Sequence, residues 1–113
     1  MKYEEAKDLY NKLVDKQPGI ERKGKTMPYT SINGHMTSFL NKEGKMGLRL
    51  SKDDIAEFIE QHEANVMEQH GRVMKEFVEV PEGLLGQTDE LAKYFEKSVV
   101  YVGGLKPKAT KKK

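Results

Sequence analysis

The chain has no cysteine and no tryptophan, and only four prolines among its 113 residues. Without cysteine there can be no disulfide, no thiolate nucleophile and no sulfur-ligated zinc. Apolar runs are short, and none approaches the roughly eighteen residues that a membrane helix needs. The start, Met1-Lys2-Tyr3-Glu4-Glu5, is charged and has no apolar stretch of the signal-peptide kind, so a cytoplasmic location is expected. A Gly-rich phosphate loop is also missing, since Gly103-Gly104-Leu105 follows an expected helix instead of leading into one. No nucleophile elbow is present.

What remains is 36% hydrophobic and 34% charged, the composition of a small domain with a heavily solvated surface. The length suits a single domain with one core. The net charge of +2 conceals an asymmetry. Lys106, Lys108, Lys111, Lys112 and Lys113 crowd the end, and without those five lysines residues 1–105 carry −3. The expected organisation is a mildly acidic domain over 1–105 and a disordered basic tail over 106–113, which has nothing to bury.

Residues 3–16 read as an amphipathic helix, with Tyr3, Ala6, Tyr10, Leu13 and Val14 on one stripe and Pro18-Gly19 ending it. A strand over Thr26 to Ile32 follows, with Pro28 marking an edge or a bulge. Asn33-Gly34 is a strong hairpin signal, because both residues accept positive φ. Strands over His35 to Leu40 and Lys45 to Leu50 complete a three-stranded antiparallel meander. Ser51 caps a second helix that carries Ile55, Phe58 and Ile59 and fades near His62. Residues 63–71 give no clear pattern, and Gly71 breaks the segment. Val73 to Val80 is β-prone and Pro81 stops it. Leu84-Leu85 suggests a short helical turn. Thr88 caps a last helix with Leu91, Phe95, Ser98 and Val102 on one face, and Gly103-Gly104 closes it. The expected fold is α+β in the order α-β-β-β-α-β-α, with helices packed on a mainly antiparallel sheet. An open sheet edge invites pairing into a homodimer, which Pro28 counteracts.

The run Met27-Pro28-Tyr29, Ile32-Asn33-Gly34-His35-Met36, Phe39-Leu40 and Gly44-Lys45 through Leu48-Arg49-Leu50 resembles the N-terminal domain of TfoX/Sxy-type proteins. The run His70-Gly71-Arg72-Val73-Met74-Lys75-Glu76-Phe77-Val78, with Val80-Pro81, extends that resemblance. It implies a secretion-chaperone-like α+β domain associated with the regulation of competence for DNA uptake. Full-length members add a helical C-terminal domain for which 113 residues leave no room, and Met27-Pro28-Tyr29 departs from the family's usual Met-Phe-Gly-type sequence.

Several polar groupings invite a chemical reading. Glu-Gln-His occurs at 60–62 and again at 68–70, but eight residues turn His62 and His70 about 80° apart on an ideal helix. They read as solvated histidines at helix ends, and no metal or cofactor is expected. His70-Gly71-Arg72 with Lys75 could hold an anion, with Gly71 admitting it closely and Arg72 clamping it; Lys45 and Arg49 on the third strand would add charge. The alternative is a turn glycine among surface charges. Ser31 and Ser38 flank His35 without forming a nucleophile-base set. Asp53-Asp54 serves helix capping. Met27, Met36, Met46 and Met74 fall in expected strands and read as core filling. The leading expectation is a non-enzymatic binding or regulatory module acting through a protein partner. The second is a small anionic-ligand-binding domain or minor enzyme using the His70-Arg72-Lys75 region. The third is weak nucleic-acid binding through the lysine tail.

Overall fold

The computed structural model describes residues 2–105 other than Pro18, Glu21, Lys25, Thr26, Asn33 and His70. The expected ends at Pro18 and Thr26, the first residue of the Asn33-Gly34 turn, His70 and the tail lysines therefore lie outside the described residues.

Helix α1 (Tyr3–Asp15) forms on the stripe legible in the sequence and buries Ala6, Tyr10, Leu13 and Val14. Strands β1 (Tyr29–Ile32), β2 (His35–Leu40) and β3 (Met46–Arg49) pair antiparallel in succession, as the meander required. Pro28 sits just before β1, which is an edge strand, and a bulge falls between Thr30 and Ser31. The β2–β3 turn is held by the Asn41 side chain, whose Oδ1 accepts from the amides of Glu43 and Lys45 at 2.9 Å each. Helix α2 (Lys52–His62) is capped as expected, with Ser51 Oγ accepting from the Asp54 amide at 3.2 Å. It ends on Glu63 in the left-handed region, at φ 51°.

The order of elements gains two members, a strand before the last one and a short helix before the final helix. Residues without a clear pattern in the sequence form strand β4 (Asn65–Gln69), which makes a hairpin with β5 (Arg72–Val80). The observed order is α-β-β-β-α-β-β-α-α, and Gly71, at φ 76°, belongs to a hairpin turn. Asn-Val-Met-Glu-Gln has little intrinsic strand preference, and the long β5 beside it supplies the pairing that local propensity lacks. Short helix α3 (Glu82–Leu85) follows, then α4 (Thr88–Gly103); Thr88 is not its cap, as the sequence suggested, but its first helical residue, and Gln87 occupies the cap position.

The five-stranded antiparallel sheet runs β1-β2-β3-β5-β4. Alternation along the strands sends Leu40, Met46, Leu48, Val78 and Val80 to the helical side, where they meet the buried faces of α1, α2 and α4. The intervening residues Phe39 and Phe77 point the other way and join Met67 in a second cluster, edged by Met27, Tyr29, Met36 and Met74. Both sheet faces are thus apolar in part. Of the four methionines expected to fill the core from strands, Met46 does so, whereas Met36 and Met74 are only partly buried at the edge of the second cluster and Met27 lies before β1, outside any strand. Among the described residues no helix is long and apolar enough to cross a membrane.

Candidate functional site

Five side chains entered from the sequence as a cationic cluster, and the sheet register decides which of them meet. Lys45 and Arg49 stand on the same face of the third strand, about 13 Å apart along it. Each already faces a carboxylate on β5: Lys45 Nζ lies 3.9 Å from Glu79 Oε2, and Arg49 contacts Glu76 Oε1. Arg72 is exposed at the opposite end of β5, next to the hairpin turn. His70 lies outside the described residues. Arg49 and Lys75 come together in a shallow depression of about 350 Å³ with Met74, Glu76 and Phe77. A clamp built from Arg49 and Lys45 would have to displace both glutamates.

The histidine and serine candidates have other partners. His62 is not a freely solvated helix-end residue, because it packs between Phe58 and Tyr94 with ring centroids 5.0 and 5.3 Å away. Tyr94 donates its hydroxyl proton to Gln61 Oε1 at 2.5 Å, so its oxygen is left to accept from His62 Nε2 at 3.1 Å. Burial pushes the Tyr94 hydroxyl above its usual pKa, with Glu57 adding to the effect. Ser38 is fully buried beneath α1 and makes hydroxyl contacts of 2.7 Å with Tyr10 and 2.6 Å with Thr30. Thr30 also meets Thr37, and Ser98 Oγ donates to the Thr37 carbonyl at 3.4 Å. These hydroxyls satisfy one another inside the core, away from any substrate. Among the described residues no three histidine or carboxylate side chains gather as a metal set.

Lys75 leads instead to a different surface. It lines a groove of about 370 Å³ with Leu50, Lys52, Ile55, Glu76 and Tyr101. The floor comes from the end of β3 and the first turn of α2, and Tyr101 of α4 forms a wall. Next to Tyr101, Val100 is 70% exposed, one of two large apolar side chains so placed among the described residues. Glu76 is neutralised by Arg49, whereas Lys52 and Lys75 have no ion pair among the described residues. The groove is therefore apolar inside and carries two unopposed ammonium groups. Lys75 was visible in the sequence; Lys52, Ile55 and Tyr101 were not singled out, because they lie on three separate elements and nothing local marks their meeting.

Comparison of the chain with protein-family models, curated proteins and solved structures returned no match.

Proposed function

We propose that the chain is a non-enzymatic regulatory module of the TfoX N-terminal type that works by binding another protein. The observation that supports this most is the groove between α2, β5 and α4, with an apolar interior and unopposed charge at Lys52 and Lys75. Such a surface suits a segment that offers one large apolar side chain flanked by carboxylates. The apolar contact supplies affinity, and the lysines supply orientation and a faster encounter.

The test compares retention of cellular proteins on the immobilised native chain and on a Lys52→Glu/Lys75→Glu variant. Both lysines are exposed, so the variant keeps its fold, which far-ultraviolet circular dichroism verifies. The reading requires a discrete protein that binds directly to the native chain after purification and loses about tenfold or more in affinity for the variant. Equal binding to both forms, or turnover of a metabolite by the native chain, overturns it.

A further inference from the structure

Strand β5 outruns the strand beside it. The β3–β5 register ends where Arg49 meets Phe77; the Leu50 amide then donates to the Glu76 carbonyl at 3.1 Å, and the chain leaves for α2. On the other side the β4 register shifts between Val66 and Glu68, passing from Val78 to Val73. Met74 and Lys75 therefore have no register partner on either side, although both belong to β5. Among the described residues no other strand takes the place that β3 vacates. A strand edge left open in this way is a template for another chain. Two depressions meet at the same stretch and share Lys75 and Glu76. The groove of about 370 Å³ draws Leu50 and Ile55 from the helical-side core. The hollow of about 350 Å³ draws Met74 and Phe77 from the cluster on the opposite sheet face. The open stretch is thus flanked by an apolar recess on each face. The two large apolar side chains exposed among the described residues also border it, Val73 next to Met74 and Val100 next to Tyr101.

An added strand would use all of these features. Successive side chains of a strand point to opposite faces, so a segment lying where β3 leaves off sends one side chain into the groove and the next into the hollow. Its backbone pairs with β5, and the two recesses select its side chains. A helix laid in the groove would leave the hollow and the open strand edge unused. Charge sets the rest of the chemistry. The recesses are lined by Arg49, Lys52, Lys75 and a single carboxylate, Glu76, which Arg49 already engages. Arg72, further along β5, is exposed and has no ion pair among the described residues. We propose that the partner docks by strand addition: an extended segment of another protein, apolar at its centre and flanked by carboxylates, pairs antiparallel with residues 72–75 of β5 in continuation of β3. This mode of docking rests on the binding role proposed for the groove and fixes the shape of its occupant.

The probe is the acetylated and amidated heptapeptide Asp-Thr-Val-Leu-Val-Thr-Asp, titrated into the native full chain and followed by amide chemical shifts. Shifts are expected at residues 72–76 and in the first turn of α2, with slower hydrogen exchange at residues 72–75. In an added strand every second amide faces its neighbour. N-methylation of the two valines and N-methylation of the Thr-Leu-Thr set should therefore differ. One form is expected to lose about tenfold or more in affinity while the other stays within about twofold. Replacing both aspartates by lysine should also cost about tenfold. No shift below about 5 mM peptide overturns strand addition, and so does an equal effect of the two N-methylated sets. Either result leaves the groove itself standing, because an occupant can fill it without pairing; the retention assay with Lys52→Glu/Lys75→Glu judges the groove separately. The peptide series needs only the native protein, so no variant has to fold.

Discussion

A methyl group built on Gly47 would stand 2.6 Å from Cε2 and Cζ of Phe39, its partner across the β2–β3 ladder. The Phe39 ring occupies the space that a side chain at 47 would take, and from there it meets Phe77 at a centroid distance of 5.6 Å. Gly47→Ala therefore forces that ring out of the outer cluster. A loss of about 1–3 kcal/mol is expected, the usual cost of overpacking a filled site. Urea denaturation measures it, and Phe39→Leu in the same chain should make the added methyl cheaper. A neutral Gly47→Ala would mean that the cluster is loosely packed.

The buried hydroxyl group of Tyr10 makes the fold sensitive to alkali. Burial raises its pKa from 10.0 to about 12, against the opposing pull of its hydrogen bonds to Ser38 and Thr30. The unfolded chain loses this proton near pH 10 while the folded chain keeps it. The contribution is therefore intact below pH 10 and disappears as pH rises towards 12, by about 2–3 kcal/mol in all. Tyr10→Phe should flatten this part of the stability profile while costing about 1 kcal/mol at neutral pH. Equal alkaline slopes in the two proteins would count against a buried, protonated phenol.

Glu63 ends α2 at φ 51°, a conformation that side chains tolerate poorly. Glu63→Gly should stabilise the protein by roughly 0.5–1 kcal/mol, the strain relieved less the entropy added to the unfolded chain. Thermal unfolding reads the change as a raised midpoint. A lowered one would show that the Glu63 side chain contributes more than its backbone costs.

The hydrogen-bond order around Tyr94 fixes a histidine tautomer. Because Tyr94 donates to Gln61, neutral His62 must carry its proton on Nε2. Ring nitrogen chemical shifts should show this form in excess, and Tyr94→Phe should remove the preference with a loss of about 1 kcal/mol. An Nδ1-protonated ring in the native chain would contradict this order.

The five lysines from Lys106 to Lys113 provide a direct test of the nucleic-acid reading. If they bind DNA or RNA, affinity should fall steeply with salt and vanish when residues 106–113 are removed. Binding that survives the truncation would have to come from residues 1–105, which carry net negative charge.

Local chemistry determined most of the elements by itself. The α1 stripe, the Ser51 cap and the alternation of Met46, Leu48 and Leu50 are short-range patterns, and each formed where the residues required. Strand β4 was illegible because its five residues are held by pairing with β5, an interaction outside any local window. The candidate sites share that origin. Arg49 looked like a free cation until the β3–β5 register placed Glu76 beside it, and Lys52 had no visible relation to Tyr101, which comes 49 positions later in the chain. A sequence declares periodicity and caps, whereas partners across a sheet or a pocket are settled by how its elements pack.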